Sequence, residues 1–132
     1  MNAFLDSAIF ILTRVLVFFV PIILFPNTSE LFEFNKIILV YILTILIVGS
    51  WIAKMVLQRK FTFRRTILDI PLLLFLFSQI VATIASFDSR TSLLGYYSRF
   101  NGGLISTICY ALLYWAWVSN LNAKKTFTSL KF

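Results

Sequence analysis

The sequence predicts an all-α integral membrane protein with four transmembrane helices. The first observation is composition: 60% of the residues are apolar and 13% are charged, whereas soluble domains carry about 45–50% apolar and about 25% charged residues. The second is that apolar residues come in blocks and do not alternate as they do in strands. The third is that four blocks have about the 17–25 residues that a helix needs to cross a hydrocarbon core. We therefore expect residues 1–132 to form a single helical membrane domain.

The four predicted spans are 8–25, 37–57, 70–86 and 104–121. Arg14 lies inside the first span, where a central arginine costs roughly 2.5–3.5 kcal/mol on an insertion scale. The same span holds 14 Leu, Ile, Phe and Val residues, each of which returns about 0.3–0.6 kcal/mol, so insertion is favoured. As an intramembrane charge, Arg14 either pairs with a lipid diphosphate or another helix, or extends its guanidinium towards the interface.

The basic residues set the expected orientation. Eight of the twelve cations lie either between residue 54, in the last turn of span two, and the start of span three, or after span four. They are Lys54, Arg59, Lys60, Arg64, Arg65, Lys124, Lys125 and Lys131. Because Lys and Arg accumulate in cytoplasmic loops, both chain termini and the loop between spans two and three are predicted to be cytoplasmic. This rule accounts for the net charge of +7 without nucleic-acid binding, although Phe61 and Phe63 among these cations would also suit anionic lipid headgroups.

The inventory of reactive side chains excludes several functions. Histidine is absent and Cys109 is the only cysteine. An imidazole base, a metal site built from His or Cys, and an intramolecular disulfide are therefore excluded, and neither a cofactor nor a catalytic residue is expected. A small proton-coupled multidrug transporter is disfavoured because it needs an intramembrane carboxylate, whereas Asp69 and Asp88 lie at the ends of predicted spans. A cleavable signal peptide is disfavoured because residues 1–7 contain no Lys or Arg.

The predicted outer loop 87–103 concentrates the residue types best suited to a ligand. It contains Arg90, Arg99, Tyr96 and Tyr97 as candidate ligand contacts, and Gly95, Gly102 and Gly103 as loop-shaping residues. Glycine permits tight turns, tyrosine stacks on sugar faces, and arginine binds phosphate oxygens bidentately. These types favour a ligand with both phosphate and sugar. The alternative is that the tyrosines only anchor at the interface, Arg90 pairs with Asp88, and the glycines only turn the chain.

This loop resembles one in the bacterial O-antigen ligase and polymerase family of polytopic membrane proteins. Members often carry, after a hydrophobic span, a Ser, then Asp or Asn two residues later, Pro, and a spaced Ser, Gly, Arg and Gly. The corresponding residues here are Ser86, Asp88, Ser89, Ser92, Gly95, Arg99 and Gly102, followed by LISTICYALLYWAW. Ser89 stands where Pro is usual. The upstream segment FPNTSELFEFNKIILVYILTILI also resembles the amino-terminal part of such proteins, so the likeness covers nearly the whole chain.

The resemblance implies a glycosyltransferase of the bacterial inner membrane that moves a glycan from undecaprenyl diphosphate to an acceptor on the outer side. Members have further spans and a large outer loop with the histidine and arginines of transfer, which this sequence lacks. We therefore expect the amino-terminal segment of such an enzyme, inactive by itself, with the remaining helices of a longer protein as its partners. Arg90 and Arg99 would contact the diphosphate, and Tyr96 or Tyr97 the sugar. The alternative is a small self-contained four-helix membrane protein that assists assembly or binds a membrane partner.

Overall fold

The computed structural model describes residues 2–22, 32–96 and 100–120. These residues form five helices and contain no strand. In chain order the helices are α1 (Asn2–Ile22), α2 (Phe32–Gln58), α3 (Asp69–Ile84), α4 (Ser89–Leu94) and α5 (Leu104–Asn120). The all-α prediction is confirmed.

Each long helix overlaps one predicted span, with differences at the ends. Helix α1 begins at Asn2, six residues before the predicted start at residue 8. The predicted end of this span, at residue 25, lies outside the described residues. Helix α2 begins at Phe32 instead of residue 37. The short helix α4 lies inside the predicted outer loop, where no helix was predicted.

Within the described residues, two helices are long and apolar enough to cross a membrane. They are α1 over Phe4–Ile22 and α2 over Phe34–Gln58, which at 1.5 Å per residue extend about 28 Å and about 37 Å against a hydrocarbon thickness of about 30 Å. Only 6% and 28% of their most apolar windows are buried, unlike the mostly buried core helix of a soluble protein. Helices α3 and α5 are also apolar but have 16 and 17 residues, so four spans remain a prediction.

Helices α1, α2 and α5 pack together and form the core. Helix α1 lies along α2, and both contact α5. The buried centre of this packing comprises Ile9, Ile47, Trp51 and Ala116, contributed by all three helices. Ala116 is fully buried and has a small side chain, so it lets α5 approach the other two helices closely.

Helix α3 is peripheral. Among the described elements it packs against α5 and α4 only. Its single buried residue is Asp69 at the amino-terminal end, while apolar side chains such as Leu74, Phe77 and Ile84 are exposed along its length. Helix α3 connects the cationic segment before Asp69 to helix α4.

Candidate functional site

Helix α4 is set in place by an aspartate cap. The carboxylate of Asp88 accepts hydrogen bonds from the backbone N–H groups of Arg90 and Thr91, at 3.2 and 3.3 Å, and from the Thr91 hydroxyl. These are the N–H groups that the first turn of a helix leaves without partners. The Thr91 hydroxyl above all, with the two N–H groups, lowers the pKa of Asp88 against the opposing effect of desolvation. Asp88 is therefore ionised at neutral pH, and its oxygens are engaged in capping.

Serine hydroxyls connect the end of α3 to α4. The Ser92 hydroxyl donates to the Ser86 oxygen at 2.6 Å, and Ser86 accepts a hydrogen bond from the backbone N–H of Asp88 at 3.2 Å. These bonds join residues two and six positions apart around the start of α4. The turn from α3 into α4 is thus closed by side chains and not only by backbone.

The glycine-rich loop is here the described part of the segment between α4 and α5, residues 95–96 and 100–103, and its two stretches touch each other. Gly95 has φ of +89°, and a Cβ atom there would lie 2.2 Å from the backbone oxygen of Asn101. A Cβ on Gly103 would lie 2.4 Å from the backbone nitrogen of Gly95. At Gly102, φ is +85° but the space around a Cβ is open. Gly95 and Gly103 thus allow two backbone stretches to touch, whereas Gly102 supplies only a left-handed turn.

Polar side chains hold the glycine-rich loop on the start of α5. The amide oxygen of Asn101 accepts hydrogen bonds from the Gly102 N–H at 2.8 Å and from the Tyr110 hydroxyl at 3.2 Å. The buried Ser106 hydroxyl donates to the carbonyl of Gly103 at 2.8 Å and accepts from the Gly102 N–H at 3.1 Å. Side chains one and two turns into α5 therefore fix the loop that precedes this helix.

The glycine-rich loop also docks on α2. The Tyr41 hydroxyl donates to the carbonyl of Phe100 at 2.8 Å, and the ring of Phe34 meets the Phe100 ring edge to face with centroids 5.3 Å apart. Phe100 has φ of +49°, an unusual conformation for a residue with a large side chain. These contacts join residues about 60 positions apart, which no local pattern in the sequence indicated.

The predicted site residues fall into three groups. Arg90 and Tyr96 are exposed around helix α4 and the start of the glycine-rich loop. Tyr97 and Arg99 lie outside the described residues. Arg14 lies on α1, a helix that does not contact α4 in the described part of the chain, and its guanidinium carbon stands 4.2 Å from the centre of the Phe10 ring. The geometry therefore separates Arg14 from the loop residues.

The opposite end of the helices carries a polar cluster that the sequence did not indicate. The carboxylate of Asp69 accepts hydrogen bonds from the Thr66 backbone N–H at 2.7 Å and from Trp115 Nε1 at 3.1 Å. The Thr66 hydroxyl donates to Asp69 and lies 2.6 Å from the Tyr114 hydroxyl. The Thr66 N–H is the main cause that lowers the pKa of Asp69, against the opposing effect of desolvation. The sequence pattern that could have indicated this cluster is a threonine three residues before an aspartate at a helix start, a spacing similar to that of a capping box.

Phe63 corrects one expectation about this end. The sequence makes both Phe61 and Phe63, which lie among cations, candidates for contact with lipid headgroups. The Phe63 ring instead lies between Trp51 and Trp115, with centroid separations of 6.4 and 6.1 Å. Phe61 remains 83% exposed. The physical reason is packing: Phe63 is partly buried against the two indole rings, whereas Phe61 stacks on the Phe63 ring, with centroids 6.0 Å apart, and stays exposed.

The side chains at the glycine-rich end determine what chemistry this end can support. In the described residues no group of three or more His, Cys, Asp or Glu side chains could hold a metal. Asp88 is ionised and engaged in capping, so it does not offer an acidic proton. Arg90 and Tyr96 are exposed residues, with a guanidinium group that can donate hydrogen bonds and a ring that can stack.

No protein-family model, curated protein or solved structure matches this chain.

Proposed function

We propose that the chain is a four-span membrane segment whose glycine-rich end faces outward and holds a lipid-linked glycan. Helices α1 and α2 have the length and composition of spans. Helices α3 and α5 would complete the set, since 16 and 17 residues extend about 24–26 Å and a modestly thinned bilayer accommodates such helices. The exposed apolar face of α3 supports this placement, because in water it would be an extended hydrophobic surface.

The observation that carries the proposal is the fixed geometry of the glycine-rich loop. Hydrogen bonds from Tyr41, Ser106 and Tyr110 hold it against two long helices. A binding site needs such support, because ordering a free loop would oppose the binding free energy. Arg90 and Arg99 would contact the diphosphate, and Tyr96 or Tyr97 would stack on a sugar.

Within this proposal the chain acts as the amino-terminal part of an O-antigen ligase-like or polymerase-like glycosyltransferase of the bacterial inner membrane. The donor would be a glycan carried on undecaprenyl diphosphate. The chemistry of transfer would belong to residues elsewhere in a longer protein, because the carboxylate of Asp88 is engaged in capping helix α4. Lipid and further helices would cover the exposed face of α3.

The topology is tested by cysteine labelling in a Cys109→Ser background. Lys60→Cys and Tyr96→Cys place single thiols on exposed positions at the two ends. In intact bacterial spheroplasts, a membrane-impermeant maleimide should label Tyr96→Cys at once and Lys60→Cys only after permeabilisation. Labelling of both positions in intact cells, or the reverse order, contradicts the proposed orientation.

The ligand role is tested by Arg99→Ala and Arg90→Ala in the full-length protein. Each should reduce glycan transfer at least tenfold with unchanged membrane insertion, since a hydrogen bond to a charged group contributes about 1.5–3 kcal/mol. Arg59→Ala is the matched control, because it removes an exposed arginine at the opposite end. Unchanged transfer in both test variants would remove the proposed ligand role.

A second candidate function is a self-contained helical protein that binds a membrane partner. The observation that favours it is the exposed face of α3, on which Ser78, Ala82 and Ala85 are small and exposed; small residues allow close helix packing in bilayers. Two measurements separate the candidates. A coding sequence that continues through more spans and an outer loop with His and Arg supports the glycosyltransferase. Stable co-purification of a different membrane protein with the 132-residue chain supports the second candidate.

A further inference from the structure

We propose that residues 59–65, here called the basic loop, form a binding surface for anionic phospholipid headgroups. The proposal requires a chain embedded in lipid, but it is independent of any glycan bound at the opposite end. Three features carry it: the loop is fixed, its cations are exposed and largely uncompensated, and apolar side chains flank them.

The basic loop is held in one conformation by its backbone and by Phe63. Trp51 Nε1 donates to the carbonyl of Thr62 at 3.3 Å, and the backbone N–H of Arg64 donates to the Ser119 hydroxyl at 3.3 Å. The Phe63 ring packs between tryptophans of α2 and α5. Thr62 and Phe63 are partly buried, whereas the charged residues on both sides of them, Arg59, Lys60, Arg64 and Arg65, are exposed.

At the end of the helices that carries the basic loop, the described cations outnumber the described carboxylates. Lys54 forms an ion pair with Asp6, and Arg65 is the charge that acts on Asp69. Those are the two carboxylates of this end in the described part of the chain. Arg59, Lys60 and Arg64 remain exposed, and the structure records no ion pair for them among the described residues. Three positive charges are thus left for an external anion.

Apolar side chains flank these charges and indicate a lipid surface. Phe61 is 83% exposed and Ile67 is 93% exposed, and Leu68 beside them is also exposed. Apolar side chains next to the cations would not favour the binding of free phosphate. At the boundary between headgroups and acyl chains, Phe61, Ile67 and Leu68 would enter the apolar layer while Arg59, Lys60 and Arg64 contact phosphates. The occupant is therefore a phospholipid with an anionic headgroup, such as phosphatidylglycerol.

The test uses the tryptophans of the chain as reporters. All three, Trp51, Trp115 and Trp117, lie in the halves of α2 and α5 nearest the basic loop. The purified full chain in non-ionic micelles is titrated with brominated phosphatidylglycerol or brominated phosphatidylcholine, whose bromine quenches tryptophan on contact. Micelles make the result independent of topology and of glycan transfer, so this proposal and the proposed function fail separately.

We expect the chain to prefer phosphatidylglycerol, with quenching that weakens as salt is added. Each cation near an anionic surface contributes about fivefold in affinity. Arg64→Gln should therefore reduce the preference about fivefold, and the Arg59→Gln/Lys60→Gln/Arg64→Gln variant should nearly abolish it. Quenching by phosphatidylcholine should stay the same. Lys36→Gln, which removes a cation near the opposite end of α2, is the matched control and should leave the preference intact.

Three results would overturn the proposal. The first is a wild-type chain that binds both brominated lipids equally. The second is a triple variant that keeps its preference. The third is competition by inorganic phosphate: if sodium phosphate reverses the quenching more strongly than sodium chloride at equal ionic strength, the loop binds free phosphate and not a lipid surface. Circular dichroism of each variant verifies that the helices are intact.

Discussion

Lys54 of α2 forms an ion pair with Asp6 of α1, with 2.6 Å between Lys54 Nζ and the Asp6 carboxylate oxygen. The same ammonium group donates to the side-chain oxygen of Asn120, the last residue of α5, at 2.8 Å. One cation therefore joins the three helices of the core at their common end. Lys54 is largely shielded from water, with 13% of its side chain exposed, while Asp6 is 42% exposed.

The first prediction concerns this joint. Lys54→Met keeps the apolar stem but removes both contacts, so it should lower the free energy of unfolding by about 1–2 kcal/mol. Thermal unfolding in micelles, followed by circular dichroism, measures the change. With Asp6→Asn it forms a double-mutant cycle, whose coupling should be about 0.5–1 kcal/mol because Asp6 is partly solvated. Lys36→Met is the control and should change stability by less than about 0.5 kcal/mol; a coupling of zero would contradict the joint.

The second prediction separates two glycines of the glycine-rich loop. Both have positive φ, but only at Gly95 would a Cβ atom collide with backbone. Gly102→Ala should cost about 1–2 kcal/mol from the left-handed conformation alone. Gly95→Ala should cost more than about 3 kcal/mol or rearrange the loop, which trypsin cleavage after Arg90 would reveal as faster digestion. Equal unfolding temperatures for the two variants would show that the loop is not closed as described.

The third prediction uses two neighbouring phenylalanines. Phe63→Ala should lower the free energy of unfolding by about 2 kcal/mol, because the ring packs between Trp51 and Trp115. It should also shift tryptophan emission to longer wavelength as water reaches the indoles. Phe61→Ala removes a ring that is 83% exposed, so in micelles it should have less than half that effect. A larger loss for Phe61→Ala than for Phe63→Ala would reverse the assigned orientation of the basic loop.

The fourth prediction concerns pH. Hydrogen bonds hold the pKa of Asp69 below its usual value in the folded chain, so its ionised form stabilises the fold. That stabilisation is complete above the unfolded pKa, about 3.9, and is lost as pH falls through the lower folded value. Asp69→Asn should therefore be less stable than wild type at neutral pH, and its unfolding temperature should fall less as pH is lowered from 5 to 2.

Asp88 is a second carboxylate whose effect on acid stability can be compared with that of Asp69. Its pKa is lowered too, but it lies at the opposite end of α3 from Asp69. The effects of Asp69→Asn and Asp88→Asn on the acid part of the stability profile should therefore add. A double variant that retains the full acid dependence of wild type would show that neither carboxylate is the stabilising group.

The sequence predicted the positions of the long helices well, but it predicted poorly the structure of the two connecting regions, helix α4 and the basic loop. Blocks of apolar residues placed α2, α3 and α5 within a few residues of their observed limits. Helix α4 was missed because six residues are too few for a periodic pattern, and its start depends on the cap formed by Asp88. Phe61 and Phe63 looked equivalent among the cations, since only packing against Trp51 and Trp115 distinguishes an attached ring from an exposed one.

What the sequence determined by itself is the class of the fold, because apolar block length and low charge constrain helices locally. The tertiary structure alone decided which side chains meet. Tyr41 reaches the carbonyl of Phe100, and Trp115 reaches Asp69, across separations of 59 and 46 residues. Such contacts depend on how α2 and α3 each pack against α5, and hydrogen bonds between distant residues leave no periodic signal in the chain. The blocks of apolar residues predict the helices. The polar contacts around the glycine-rich loop and around Asp69 form only when these helices pack together.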